Sequence, residues 1–319
     1  MRVAVTGASG YVGGAVRRAL LARGDSIAAL SRRPPANPAT GEEWIAGELS
    51  EIAALDRLLR GADAVVHAAA WVHHETPDAA AREACFAVNL RGTQRLVDSV
   101  ARAGHAPRFV YVSTTAVYGE RFENRDESEA PAPAGAYGES KLAAERAVLA
   151  AHAARSLSAA VLRPAMVYGR GAPGNLARMI RLVRRGAAPL VAGGRNRKSM
   201  VHADDLAATI LRAIDEPRAA GGVFNVAGEP APTMREVGEA LASGMKRRLI
   251  WVPVPGALWS LGAALGHVPS RASGGRHADL GRAMEVFAAT TTVRAARVRE
   301  TLGVSFRDVI EGLGHAART

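Results

Sequence analysis

A tyrosine and a lysine four residues apart suggest chemistry more directly than any other pair in this sequence. Tyr137 and Lys141 begin and end the pentapeptide Tyr-Gly-Glu-Ser-Lys. In a helix, positions i and i+4 lie on the same face, so both side chains would reach the same substrate atom. The phenol would share a proton with a substrate oxygen, and the ammonium would lower the pKa of the phenol. An exposed helical pair is the alternative, because this spacing also arises by chance.

Thr114 would supply a third polar group to the same atom. It follows an apolar run that is typical of a buried strand and that ends in three hydroxyls, at Ser113, Thr114 and Thr115. The hydroxyl of Thr114 would donate a second hydrogen bond to the substrate oxygen. A phenol, an ammonium and a hydroxyl beside a hydride donor would act on an alcohol or a ketone.

The N-terminal residues predict where that hydride donor would bind. Gly7, Gly10 and Gly13 follow an apolar strand at residues 3–5 and open an amphipathic helix. Glycines permit a tight turn and let the backbone approach a pyrophosphate at the helix N-terminus. A glycine triplet alone also fits a plain turn, but the strand before it and the helix after it favour a dinucleotide site.

The end of the second strand predicts which dinucleotide is preferred. Ser31, Arg32 and Arg33 lie where an enzyme that uses NAD commonly has Asp or Glu for the ribose 2′-hydroxyl. Guanidinium groups match a 2′-phosphate, and the missing carboxylate removes a repulsion against it. We therefore expect NADP(H) to be preferred over NAD(H). Two solvated surface arginines are the alternative.

Short apolar strands alternate with amphipathic helices through the first half of the chain. Helices are predicted, for example, over residues 79–102 and 140–154. This alternation predicts an α/β fold, a doubly wound parallel Rossmann sheet with a smaller C-terminal substrate lobe. We expect an NAD(P)-binding domain at residues 1–163 and a substrate lobe at 164–319. Segments of the lobe at about 196–228 would return to the sheet.

Composition and charge exclude several classes of protein. The net charge is +11, yet its arginines are scattered, only three lysines occur and 5% of residues are aromatic, so we predict no nucleic-acid partner. Cys85 is the single cysteine, and His73 and His74 lack ligands at suitable spacing, so no metal site is predicted. The uncharged stretch at 249–270 contains prolines and glycines, which favours a strand and a packed helix over stable membrane insertion. With no secretory signal, we expect a cytoplasmic protein.

Eight motifs together resemble the extended short-chain dehydrogenase/reductases of the NAD-dependent epimerase/dehydratase family. They are the glycine turn at 7–13, Val-His-Ala-Ala-Ala at 66–70, Val-Asn-Leu-Arg-Gly-Thr at 88–93, Ser-Thr-Thr-Ala-Val-Tyr-Gly at 113–119, the Tyr-Lys pair, Leu-Arg-Pro at 162–164, Val-His-Ala-Asp-Asp-Leu at 201–206 and Phe-Asn-Val at 224–226. The resemblance covers almost the whole chain and places the family's catalytic hydroxyl at Thr114. With it, the predicted cofactor site comprises Gly7, Ser9, Gly10, Tyr11, Val12, Gly13, Ser31, Arg32, Arg33, Glu48, Leu49, Ala68, Ala69, Ala70, Tyr137, Lys141, Pro164 and Val167.

Departures from the family pattern narrow the expected reaction. The sugar 4,6-dehydratases have an Asp-Glu pair after the threonine, where this chain has Thr115 and Ala116. The UDP-galactose epimerases have a substrate asparagine at the position of Met166. The segments at 174–178 and 193–199 resemble bacterial enzymes that reduce UDP-linked 4-keto-6-deoxy amino sugars for polysaccharide synthesis. That likeness implies a substrate site formed by Thr115, Asn175, Leu176, Arg195, Arg197 and Lys198, although a solvated basic turn would also explain the last three.

The sequence therefore predicts a catalytic set of Thr114, Tyr137 and Lys141 in an NADP(H)-dependent reductase of a nucleotide-sugar ketone. A UDP-sugar 4-epimerase, which would keep its cofactor bound, is one alternative. Reduction of a small ketone without a nucleotide is another, and a non-catalytic NADP-sensing module is a third that the intact catalytic set disfavours. We expect a homodimer.

Overall fold

A computed structural model of the chain describes residues 1–72, 79–104, 107–155, 157–255, 259 and 287–318. Its central sheet has seven strands, and every pairing between them is parallel. Their bounds are β1 Arg2–Thr6, β2 Ser26–Ser31, β3 Glu42–Ala46, β4 Ala64–His67, β5 Arg108–Val112, β7 Ser158–Pro164 and β11 Val223–Val226. The spatial order β11-β7-β5-β4-β1-β2-β3 reverses direction between β1 and β4. This confirms the predicted doubly wound α/β class and places the ligand crevice at the carboxyl end of those two strands.

Helices cover both faces of the sheet, which explains why its central strands are apolar along their whole length. The helices are α1 Tyr11–Arg23, α2 Ile52–Leu59, α3 Ala79–Phe86, α4 Gly92–Arg102, α5 Gly135–Ala153, α6 Asn175–Arg184, α7 Ala203–Asp215, α8 Met234–Gly244, α9 Ala296–Leu302 and α10 Val309–Ala317. Leu20 of α1 and Ile210 of α7 are buried against one face. Leu58 of α2, Leu96 of α4 and Val148 of α5 are buried against the other.

Two helices differ from their predicted bounds. The helix predicted over 79–102 is interrupted by a π-helical turn at Ala87–Arg91, and such turns are frequent at functional sites. The helix predicted from residue 140 begins at Gly135, so Tyr137 lies in its first turn. Its N-cap is Ala134, which has no capping side chain, and prolines precede it. The usual sequence signals for a helix start are therefore missing.

The residues after Pro164 contribute to both the sheet and a second packing unit. Within the segment predicted to return to the sheet, β11 pairs with β7, and α7 packs against α1. The remaining strands are β6 Phe122–Arg125, β8 Met166–Tyr168, β9 Ala187–Val191, β10 Met200–His202, β12 Ile250–Val254 and β13 Thr291–Val293. They form three two-stranded parallel pairs, β8 with β10, β9 with β12 and β6 with β13. Helices α6, α8 and α10 share a separate apolar core that includes Met179, Leu241 and Leu313.

The stretch predicted at 249–270 to form a strand and a packed helix is only partly described. Its strand is β12, Ile250–Val254, whereas the predicted helix lies outside the described residues, as do His73 and His74. Among the helices that the structure describes, none combines the length and the apolar composition needed to cross a membrane.

Candidate active site and cofactor groove

The three predicted catalytic residues come from two elements that meet at the carboxyl end of the sheet. Strand β5 ends at Val112, and Thr114 follows in extended conformation, with φ −164° and ψ 152°. Its hydroxyl oxygen accepts a hydrogen bond from the amide of Ala116 at 3.2 Å, which caps the short helical turn Thr115–Tyr118. Tyr137 and Lys141 lie one turn apart on α5, which packs against that turn.

The phenol of Tyr137 is held in its neutral form. Burial raises the pKa of Tyr137 to about 12, while a hydrogen bond with Thr114 lowers it and the nearby Cys85 thiol raises it. A neutral phenol that is hydrogen-bonded to a threonine can give a proton to a substrate oxygen. This arrangement suits an acid in a reduction.

Lys141 is buried, with 1% of its surface exposed. Its ammonium donates a hydrogen bond to the carbonyl oxygen of Val112 at 2.7 Å and lies 4.2 Å from the centroid of the Tyr111 ring. Burial lowers the pKa of Lys141 to about 7, and the opposing charge of Glu145 raises it. The residue therefore changes charge near neutral pH, where many enzymes operate.

Asn89 positions the start of α5, a role that was not predicted from the sequence. The residue lies in the π-helical turn and is 1% exposed. Its amide nitrogen donates to the hydroxyl of Ser140 at 3.0 Å, and Ser140 donates to the carbonyl oxygen of Tyr137 at 2.9 Å. Its amide oxygen accepts from the amide of Trp71 at 2.7 Å. Its place in the Val-Asn-Leu-Arg-Gly-Thr motif was the available signal.

The glycine turn packs so closely against neighbouring backbone that a side chain at Gly7 or Gly13 would collide with it. Gly7 has a positive φ of +69°, and a Cβ there would lie 2.5 Å from the backbone nitrogen of Ala69. A Cβ on Gly13 would lie 2.1 Å from the carbonyl oxygen of Gly7. The N-cap of α1, Gly10, has no side-chain cap, so the first amides of the helix remain available to an anion. These features fit the diphosphate of a dinucleotide.

A groove of about 580 Å³ continues from this turn along the sheet edge. Ten predicted cofactor residues line it: Gly7, Ser9, Gly10, Ser31, Arg32, Glu48, Leu49, Ala68, Ala69 and Ala70. The lining also includes Trp71 and Arg95, which were not predicted because neither lies in a recognised cofactor motif. Arg33 lies outside this lining, although its backbone exchanges hydrogen bonds with the Ser31 hydroxyl.

The other predicted cofactor residues surround the groove without lining it. Tyr11 and Val12 begin α1, and Gly13 packs beneath the turn. Pro164 ends β7 and Val167 lies in β8. Tyr137 and Lys141 are on α5, at the end of the crevice where the reacting ring of a nicotinamide would lie.

The predicted substrate residues divide into two groups. Asn175, Leu176 and Lys198 line one narrow pocket together with Met166, Met179, Met200, Met234, Val237 and Phe287. Burial and, to a smaller extent, the charge of Arg121 lower the pKa of Lys198 to about 8. Thr115 lies beside Thr114 on the short turn, half-buried.

Arg195 and Arg197 line a different cleft, of about 580 Å³, together with Arg294 and Glu229. The structure thus separates these arginines from Lys198, whereas their adjacency in the sequence predicted one cationic turn. The reason is an alternation of burial along the segment, in which Asn196 and Lys198 are buried while Arg195 and Arg197 are exposed. Alternate residues of an extended backbone point to opposite sides.

Comparison with known proteins identifies one family across most of the chain. The model of the NAD dependent epimerase/dehydratase family matches residues 3–227. A dTDP-6-deoxy-L-talose 4-dehydrogenase of Kitasatospora kifunensis is 34% identical over 80% of this chain and 83% of its own length. A ceramide reductase of Caulobacter vibrioides is 30% identical over 98% of this chain and 92% of its own. The chain spans 58% of the length of another relative, the uncharacterized protein y4nG of Sinorhizobium fredii.

A solved structure with a similar fold contains both a nucleotide sugar and a nicotinamide dinucleotide. MoeE5 in complex with UDP-glucuronic acid and NAD is 26% identical, with a TM-score of 0.79 over 99% of this chain and 98% of that one.

Proposed function

Because the chain belongs to the NAD dependent epimerase/dehydratase family, we propose that it is an NADP(H)-dependent reductase of a nucleotide-activated keto sugar, of the UDP-4-keto-6-deoxy type. The observation that carries the proposal is the hydrogen-bonded pair of Thr114 and the neutral Tyr137, with Lys141 one helical turn away. A bound nicotinamide would supply the hydride. Tyr137 would give its proton to the substrate oxygen, while Thr114 would donate a second hydrogen bond to that oxygen. Lys141 would lower the pKa of Tyr137 by its charge.

The charges around the cofactor groove support the proposed preference for NADP(H). Arg32 and Arg95 both line the groove that contains Ser31. The position at the end of β2 lacks the carboxylate that would repel a 2′-phosphate. Glu48 also lines the groove, but it follows β3 rather than β2.

Lys198 and Asn175 support a nucleotide at the far end of the substrate. They line one pocket of about 10 Å³, so a nucleotide would have to widen it before its diphosphate could contact the Lys198 ammonium. MoeE5, whose fold is similar to that of this chain, has UDP-glucuronic acid bound. The methionines around the pocket would provide an adaptable surface for the uracil ring.

A second candidate, reduction of a ketone on an alkyl chain, is favoured by the same pocket. Apart from Asn175 and Lys198, every residue that lines the pocket is apolar, and four of them are methionines. Methionines adapt to irregular apolar ligands. The ceramide reductase relative aligns with nearly the entire chain. This candidate belongs to the small-ketone alternative that the sequence left open.

One screen tests the candidates against each other. Oxidation of NADPH would be followed with a UDP-linked 4-keto-6-deoxy sugar and with a long-chain β-keto amide, each with free UDP as a competitor. Turnover of the sugar that UDP inhibits supports the first proposal. Turnover of only the amide replaces it with the second candidate. Interconversion of UDP-sugars without net oxidation, with the cofactor retained through purification, would instead identify an epimerase.

A further inference from the structure

A buried ion pair lies one helical turn beyond Lys141. Glu145 of α5 is 1% exposed and Arg163 of β7 is 4% exposed. The guanidinium donates from Nε to Oε1 at 3.0 Å and from Nη2 to Oε2 at 2.6 Å. This bidentate geometry is the strong form of an arginine–carboxylate ion pair, and it fixes the orientation of the carboxylate.

The same carboxylate is bonded to the strand end that carries the catalytic threonine. The hydroxyl of Ser113, next to Thr114, donates a short hydrogen bond to Oε1 of Glu145. Lys141 donates to the carbonyl oxygen of Val112, one residue further back. Glu145 and Lys141 thus both connect α5 to the end of β5, and they do so from the same face of the helix.

Lys141 is surrounded by groups that differ in their effect on its charge. Cys85, on α3, raises the pKa of the ammonium. The ammonium lies over the ring of Tyr111, on β5, in a cation–π contact. On β4, His67 is neutral, because burial and the charge of Lys141 lower the pKa of His67 to about 3. Tyr137, on the same helix, is neutral as well. Among the described residues, Glu145 is therefore the carboxylate that counters the burial of the ammonium.

We propose that Glu145 is a positioning residue that keeps Lys141 cationic at the pH of turnover and fixes the distance between α5 and the Thr114 strand end. Arg163 would hold the carboxylate in place for this role. The effect of Glu145 on the reaction rate rests on the proposed function, but the charge of Lys141 can be measured without any substrate.

The titration of Lys141 can be measured directly, because the chain contains only three lysines, at 141, 198 and 246. Lysine labelled with ¹³C at Cε would give three NMR titrations, and Lys141→Met would assign the relevant one. In Glu145→Gln, which keeps the side-chain shape, the midpoint of Lys141 should move down by about one pH unit. The alkaline limb of kcat/KM against pH should move down by the same amount, so that activity at pH 8 falls about 10-fold.

Two further variants separate electrostatics from stability. Glu139→Gln is the matched control, because Glu139 lies on the same helix in a partly exposed pair with Arg82, and this substitution should leave the Lys141 midpoint unchanged. Glu145→Gln combined with Arg163→Gln removes both buried charges, so it leaves neither of them without its counter-ion. It should still move the Lys141 midpoint down, but by less than the single variant does, because loss of the Arg163 cation raises the pKa of Lys141.

Each outcome decides the proposal. If the Lys141 midpoint stays in place in either Glu145 variant, Glu145 is only structural and the proposal fails, whatever happens to the rate. Movement of the midpoint in Glu139→Gln would also overturn it. If the midpoint moves as expected but no keto sugar is reduced, the role of Glu145 stands and the proposed substrate falls.

Discussion

Arg197 and Lys198 are adjacent in the sequence, but their side chains leave the backbone on opposite sides. Lys198 is 2% exposed and lines the pocket of Asn175, whereas Arg197 is exposed and its guanidinium donates to the carbonyl oxygen of Ala231 at 2.7 Å. Only one of the two can therefore contact a substrate in that pocket.

We expect Lys198→Ala to raise KM for a UDP-sugar by about 10-fold or more while kcat falls less, because a remote phosphate contact is present in both ground and transition states. Arg197→Ala is the matched control and should change KM little. Steady-state kinetics with both variants make the comparison. An unchanged KM in Lys198→Ala would argue for the alkyl ketone.

Since the pKa of Lys198 is about 8, inhibition by UDP should weaken as pH rises through that value and the ammonium loses its proton.

Tyr137→Phe should lose about 10²- to 10⁴-fold in turnover, because it removes the acid and keeps the ring. NADPH binding, measured by fluorescence titration, should stay close to that of the unaltered protein. Activity within a few-fold of the original would remove Tyr137 from the mechanism.

The rate of reduction should depend on the charge of Lys141. Its pKa of about 7 in the free protein means that the cation predominates below that pH and is lost above it. Because kcat/KM reports groups of the free enzyme, it should decline as pH rises through about 7. The same limb should be absent from the residual activity of Lys141→Met. A flat profile up to pH 9 in the unaltered protein would contradict this assignment.

Arg32 and Arg95 should distinguish NADPH from NADH, and Arg33 should not. Arg32→Ala and Arg95→Ala should each weaken NADPH by about 10- to 100-fold, since a charge-assisted hydrogen bond contributes about 1.5–3 kcal/mol. NADH should be affected less because it has no 2′-phosphate. Arg33→Ala provides the control, because Arg33 lies outside the groove lining. Equal losses for both cofactors would show that these arginines contact another part of the dinucleotide.

Gly7→Ala should abolish cofactor binding, whereas Gly14→Ala should not. A Cβ on Gly7 meets the backbone of Ala68 and Ala69 within 2.7 Å and requires a positive φ. The nearest atom to a Cβ on Gly14 is 3.8 Å away, at the end of the flexible Arg18 side chain. Calorimetric titration with NADPH and thermal unfolding of both variants would test this. Normal binding by Gly7→Ala would show that the turn is not the diphosphate site.

Local patterns in the sequence were sufficient for the fold class and for the residue types of the site. Each parallel strand is a short, continuous apolar run, because both of its faces are covered, and such runs between amphipathic helices can be recognised without any long-range information. The glycine spacing and the Tyr-Lys spacing are likewise local, since each is set by one turn or one helical repeat.

Only the tertiary structure decided which side chains face each other. Arg95 of α4 lines the cofactor groove and Arg33 does not, which depends on how α4 packs against α2 and α5, and no local pattern contains that distance. The pKa values of Tyr137 and Lys141 depend on burial by elements far apart in the chain. The Glu145–Arg163 pair joins residues 18 apart through the contact of a helix with a strand. The sequence determined which groups are present. The packing determined the distances between them and how far water is excluded around them, and these two quantities set the strength of each charge interaction in the site.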